Sequence, residues 1–230
     1  MVNSKRQHIR ECGDTSVEAG REASQLPWYS YALNFVNQKS VLDVGCGLGK
    51  GLEILRCKAK RVLGQDIDIR LASEDIIICD LSEITSKSFD IITALEVIEH
   101  VKEPKKFVHE LVRIAREGLF LTTPNWTISQ CLWLFHRQEY TPQELISILE
   151  PFGKVSLFKG NVTGTEVYEV KYPQIYHVFN ILRIWTLTNI PTRCWNRLIP
   201  RQCRIHSNIA AYLRIRDTDK IHNEGVKSVV

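Results

Sequence analysis

Short apolar runs that end in acids or glycines recur along the first two-thirds of the chain, separated by segments whose apolar positions follow helical spacing. Read by period, the pattern predicts strands at 41–45, 61–66, 76–79, 89–95 and 118–123, with helices at 49–57 and 103–116 between them. Apolar positions within 26–35 also recur at helical spacing and predict a further helix. Thr141, Pro142 and Glu144 have the order of an N-cap, a first-turn proline and a capping-box acid, so a helix should start there and reach about Leu149. Residues 154–158 supply a sixth strand, and the alternation over 207–215 supplies a closing one. Strands alternating with helices imply an α/β fold: a Rossmann-like, seven-stranded, mostly parallel sheet with helices on both faces. Ligands bind such sheets at the carboxyl ends of the strands.

The first strand ends in the most specific stretch of the chain, Val41-Leu42-Asp43-Val44-Gly45-Cys46-Gly47-Leu48-Gly49-Lys50-Gly51. Glycines at a strand end let a ligand approach the backbone closely, and the following helix start turns amides toward it. A dinucleotide fingerprint would need glycine at position 50, which is Lys50. A phosphate-binding P-loop would need Ser or Thr after that lysine, where Gly51 stands. Both alternatives fail.

The loop resembles motif I of the class I S-adenosylmethionine-dependent methyltransferases. Two further strand ends agree with that resemblance. Arg61–Asp66 ends in an acid 21 residues after Gly45, and Ile76–Asp80 ends in another. The resemblance covers roughly residues 40–160. It implies S-adenosyl-L-methionine as cofactor. Gly45, Cys46, Gly47 and Gly49 would give close backbone approach, and Asp43 would serve the amino-acid end. Asp66 would take the ribose hydroxyls with Ile67 beside it, with Asp68 as the competing acid. Asp80 and the backbone of Leu81 would hold adenine, while Leu95 and Glu96 would line the cofactor after the fourth strand.

The acceptor chemistry is sought after strands four and five. The chain lacks the Asn/Asp-Pro-Pro-Tyr of adenine- and glutamine-directed enzymes and the Pro-Cys of cytosine C5 enzymes. An oxygen acceptor is thereby favoured, with small-molecule N-methylation left open. Glu96-Val97-Ile98-Glu99-His100 would place two carboxylates and an imidazole on one helical face, and His136 precedes the capped helix at Thr141. Similar residues occur in ubiquinone-pathway O-methyltransferases and in small-RNA 2′-O-methyltransferases. That likeness implies Glu96, Glu99, His100 and His136 as a divalent-metal set, which is not the favoured reading. The favoured one is His100 or His136 as a general base, since an imidazole titrates near working pH. Asn125, in Thr122-Thr123-Pro124-Asn125, reads as a turn residue.

Composition adds three limits. At 230 residues and 44% apolar, the chain suits one domain with a sizeable core. Seven cysteines without a C-x-x-C pair suit reduced thiols in a cytoplasmic protein. The N-terminus has no signal-peptide core, and no run of about 18 apolar residues predicts a membrane span. Charge is segregated: residues 170–216 hold eight Lys and Arg and no acid, while the whole chain is only +4, leaving −4 elsewhere.

The expected organisation is a flexible arm over 1–20, a methyltransferase domain over 21–216 and a polar tail over 217–230. Within the domain, 170–206 would be a basic, aromatic helical insertion before the last strand. It would form a wall over the acceptor or lie on an anionic membrane surface. The expected acceptor is a small molecule, a glycan or a lipid-linked compound, with nucleic acid less favoured. The rival readings are a metal-dependent RNA 2′-O-methyltransferase and a cofactor-binding homologue without turnover.

Overall fold

The computed structural model describes residues 26–161, 164–186 and 189–216, with the backbone alone at 183–186. The predicted arm and tail lie outside these residues. Eight strands form one sheet: β1 (Ser40–Val44), β2 (Arg61–Asp66), β3 (Ile76–Ile78), β4 (Phe89–Leu95), β5 (Ala115–Pro124), β6 (Gly153–Gly160), β7 (Val167–Glu169) and β8 (Asn208–Ile215). Their spatial order is β3-β2-β1-β4-β5-β8-β6-β7. β1 to β5 are mutually parallel, and β8 is antiparallel to both β5 and β6, so β6 runs in the direction of the first five. The eighth strand was not predicted. β7 is three residues long and pairs antiparallel with β6, and so short a run carries little periodic signal.

The helices are α1 (26–32), α2 (Lys50–Arg56), α3 (Pro104–Ile114), α4 (Trp126–Ser129), α5 (Pro142–Leu149), α6 (Gln174–Thr186) and α7 (Ile190–Leu198). α3 ends two residues earlier than its periodicity predicts, because Ala115 already pairs with Phe89 as the first residue of β5. α5 starts as expected: Thr141 Oγ1 caps the Glu144 amide, and Glu144 reaches back to the Thr141 amide.

Successive residues of the central strands face opposite layers, and both layers are apolar. Leu42, Ile92, Leu119 and Leu121 face α3 and α5, where Val108, Leu111, Ile114, Leu145 and Leu149 cover them. Val41, Ile91 and Phe120 face the other way, onto Trp28, Tyr29 and Ala32 of α1 and Leu52 and Leu55 of α2. A sheet buried on both faces explains why its strands read as continuous apolar runs. A smaller cluster of Tyr176, Phe179 and Ile205, joined by Trp195, ties α6 to α7 between β7 and β8.

From β1 the chain winds outward through β2 and β3, then returns to the other side of β1 as β4. The carboxyl ends of β1 and β4 therefore flank the crevice at which the winding reverses, where α/β sheets bind ligands.

Candidate active site

The loop after β1 is built from left-handed backbone. Gly45 and Gly47 have φ of 66° and 55°, a region that side chains resist. A Cβ on Gly45 would also stand 2.6 Å from Val97 Cγ2, whereas one on Gly47 would meet nothing within 4 Å. Gly45 is thus required by packing, and Gly47 keeps an open surface above the loop. The carboxylate at the end of β2 holds this loop: Asp66 accepts from the amides of Gly47 (3.0 Å), Ile67 (2.7 Å) and Asp68 (3.2 Å). Asp68 caps the following turn and pairs with Arg70, while Asp66 braces the glycine loop. Cys46 turns its thiol into the core, and burial pushes that thiol well above its usual range.

Asp43 is fully buried, and both its oxygens are engaged. Tyr29 Oη donates at 2.7 Å and Thr93 Oγ1 at 2.6 Å. Burial pushes its carboxyl up to about 7, against the opposing effect of the Thr93 and Tyr29 hydrogen bonds. Neither partner was foreseen, since Tyr29 arrives from α1 and Thr93 from β4. Asp80 stands exposed two residues after β3; its Oδ1 accepts from the Ser82 hydroxyl and amide, which hold its carboxyl below the ordinary range. Leu81 is half-buried beside it, Leu95 is buried, and Ile67 projects with 57% of its surface exposed.

Glu96 follows β4 with φ at 57°, a left-handed conformation that costs a non-glycine residue about 1 kcal/mol or more. Its amide donates to Thr122 O at 3.1 Å, while its Oε1 accepts from Thr122 Oγ1 at 2.8 Å and Asn208 Nδ2 at 3.2 Å. This kink breaks the expected helical face. Only Ile98–His100 form a short 3-10 turn, so Glu96 points to β5 and β8 while Glu99 turns inward. The ligand atoms of Glu99, His100 and His136 come within 4.8 Å of one another; Glu96 stands outside that group.

Backbone bonds assemble this second cluster. The amides of Arg137 and Gln138 donate to Glu99 O at 2.8 and 3.2 Å, bringing the segment after α4 against the turn after β4. The two imidazoles meet edge-on, ring centroids 4.9 Å apart. His100 Nδ1 lies 3.0 Å from Phe135 O, an acceptor only, so it carries the proton and leaves Nε2 with its lone pair. His136 Nδ1 donates to Glu139 Oε1 at 2.6 Å, with the same consequence for its Nε2. Glu139 also accepts from Ser129 Oγ and from the Cys131 amide. Burial opposes its ionisation, but the bonds from His136, Ser129 and Cys131 prevail and hold its carboxyl below the usual range. The spacing of His136 and Glu139, one helical turn, was visible in the sequence; the role of Glu139 was not.

Glu99 is the exception in this network. It is fully buried, and both carboxylate oxygens lack a hydrogen-bond partner among the described residues. Burial, and then the charge of Glu96, push its carboxyl well above the ordinary range. A buried orphan carboxylate beside two oriented imidazoles suits either a proton or a cation. Asn125 keeps a structural role: it caps α4 through Thr127 and donates to His206 O at 2.8 Å.

Comparison with known proteins agrees with this arrangement. Residues 42–122 match the family model described as a methyltransferase domain. A protein of Mycolicibacterium smegmatis named as a probable S-adenosylmethionine-dependent methyltransferase is 33% identical over 132 residues, covering 50% of this chain and 51% of its own. The ubiquinone biosynthesis O-methyltransferase of Hahella chejuensis is 29% identical, over 44% of this chain and 50% of its own. The chain thus spans about half the length of the curated relatives it matches. A Thermotoga maritima structure described as a methyltransferase, with histamine N-methylation as a possible activity, aligns over 91% of this chain and 99% of its own. Its TM-score is 0.63 at 12% identity, a likeness of fold alone. Residues 42–122 thus match a methyltransferase domain, and the described residues share the fold of a solved S-adenosylmethionine-dependent methyltransferase.

Proposed function

We propose that this protein transfers the methyl group of S-adenosylmethionine to an oxygen of a small-molecule, lipid-linked or glycan acceptor, with a histidine as base. The observation that carries the reading is the convergence at one sheet edge of Gly45–Gly49, Asp66, Asp80 and Glu96, with His100 and His136 on the adjoining turn and segment. On this reading Asp66 receives the ribose hydroxyls in place of part of its bonding to the loop. The outer oxygen of Asp80 accepts the adenine amino group, the Leu81 backbone supports the ring, and Ile67 packs against it. Asp43, through Tyr29 and Thr93, holds the floor beneath the amino-acid end, with Leu95, Glu96 and the backbone of Cys46 around it.

When bound, the cofactor supplies a methyl carbon already activated by its sulfonium. The protein then has to align the acceptor oxygen in line with that carbon and take up the acceptor's proton. His136 is the better base of the two, because Glu139 behind it stabilises the imidazolium that forms. His100 has the Phe135 carbonyl behind it. The new bond joins the acceptor oxygen to the methyl carbon, the bond to sulfur breaks, and the proton ends on Nε2.

The orphaned Glu99 favours a second reading, in which Glu99, His100 and His136 would hold a divalent cation, which would lower the pKa of the acceptor hydroxyl. The small-RNA 2′-O-methyltransferase reading depends on that site. Calorimetric titration with S-adenosylmethionine, followed by a methyl-transfer screen over quinols, glycolipids, glycans and small RNAs, separates the alternatives. Absence of binding, with Asp66→Ala changing nothing, would overturn the proposal. Binding without turnover on any acceptor class would support the homologue without activity. Activity abolished by chelation and restored by manganese would favour the metal reading.

A further inference from the structure

Apolar surface is not scattered evenly over this protein. Leu132, Trp133 and Leu134, on the segment between α4 and His136, are 80%, 44% and 83% exposed. On α7 Ile190 and Leu198 are 61% and 83% exposed. Elsewhere Leu48, Ile67 and Ile69 edge the proposed cofactor site, and Val178, Ile181 and Leu182 are also exposed on α6, the helix packed against α7.

The solvent face of α7 is unusual for a helix packed on a soluble domain. Thr192 is the buried position, and Trp195 packs on Phe179, centroids 5.2 Å apart. On the opposite face Ile190, Arg193, Arg197 and Leu198 follow at helical spacing, all exposed. Arg193 and Arg197 make no ion pair with a described residue, and no acid occurs between positions 170 and 216 to neutralise them. Glu166 forms an ion pair with this segment among the described residues, and it is taken by Arg201 at 2.5 Å. An ordinary solvated face would mix signs and keep large aliphatics inward. Aliphatic side chains set among uncompensated arginines are the pattern of a surface that meets anionic lipid.

The two apolar groups are joined by the packing beneath them. Ile128 of α4 packs into the cluster that joins α6 to α7, and Asn189, just before α7, donates to Ile128 O at 3.4 Å. The Leu132–Leu134 segment leaves α4 from that contact and ends at His136. Among the described residues no helix is long and apolar enough to cross a membrane, so any lipid contact through them is peripheral.

We propose that Leu132–Leu134 and the exposed face of α7 dock this protein on an anionic phospholipid bilayer, with the arginines at the headgroups and the aliphatic and indole groups inserted between them. This does not depend on the nature of the methyl acceptor. It would place the His100–His136 cluster beside the lipid surface, open to an acceptor that resides there.

The test is co-sedimentation of the full chain with vesicles of phosphatidylcholine alone and of phosphatidylcholine with phosphatidylglycerol. Binding should be confined to the anionic vesicles and should weaken with salt. Arg193→Glu with Arg197→Glu, and separately Leu132→Ser with Leu134→Ser, should each lower vesicle affinity at least about tenfold while thermal unfolding and S-adenosylmethionine binding stay unchanged. Equal binding to neutral vesicles, no binding, or binding unaffected by both variants would overturn the proposal. So would loss of self-association, or of binding to short RNA, in the same variants of a protein that ignores vesicles.

Discussion

The two halves of the site are built on opposite electrostatic terms. At the ends of β1 to β3, each acid is met by donors: Asp43 by Tyr29 and Thr93, Asp66 by three amides, Asp80 by Ser82. At the turn after β4, the buried Glu99 carboxylate finds no well-formed hydrogen bond among the described residues, beside imidazoles whose Nδ1 protons are taken by Phe135 O and Glu139. The first half is rigid before any ligand arrives, which suits recognition of one fixed cofactor. The second half holds an uncompensated group whose cost is relieved by a proton or a cation, which suits chemistry.

Breaking the rigid half should have the largest effect. Gly45→Ala would force a side chain into left-handed backbone and against Val97. Affinity for S-adenosylmethionine should fall at least about a hundredfold, with a stability loss of roughly 1–3 kcal/mol by denaturant titration. Retained affinity would show that the loop can move aside and is not preorganised.

In the second half, activity and stability should part company. Glu99→Gln should cut the methyl-transfer rate by about a hundredfold while raising the melting temperature. Its folded-state pKa is raised, so the native carboxyl costs stability as pH climbs above the ordinary carboxylate range. The stabilisation by Glu99→Gln should therefore grow with pH. A pH-independent difference would mean that the buried charge carries no cost.

A subtler break is Glu139→Gln. Loss of the carboxylate behind His136 should lower kcat by about tenfold to a hundredfold while leaving S-adenosylmethionine affinity unchanged. An unchanged kcat would remove His136 as the base. The smallest effect should belong to Asp43. Its carboxyl is raised from 3.8 to about 7, so the folded chain binds more protons than the unfolded one between those values. This contribution to stability should decline as pH rises from about 4 to 7, and Asp43→Asn should flatten that slope in urea titrations across the range.

Much of this could be read before any coordinates. β1, β2 and β4 lie within a residue of their predicted bounds, because strands buried on both faces leave unbroken apolar runs. Thr141, Pro142 and Glu144 announced α5 through purely local chemistry. The short strand β7 escaped notice, as did the early end of α3, where pairing of Ala115 with Phe89 overrides helical periodicity. The expectation that Glu96 shares a helical face with Glu99 and His100 failed for the same kind of reason. Bonds from Thr122 and Asn208, distant in sequence, hold Glu96 in a left-handed kink.

The sequence by itself determined the alternation of strands and helices, the glycine loop and the acids at three strand ends, since each depends on neighbours within a few residues. Only the tertiary structure decided which donors those acids meet, that Glu139 stands behind His136, and that the Glu99 carboxylate lacks a well-formed hydrogen bond among the described residues. Those outcomes rest on contacts between segments tens of residues apart, and burial sets their energies in a way that no local pattern records.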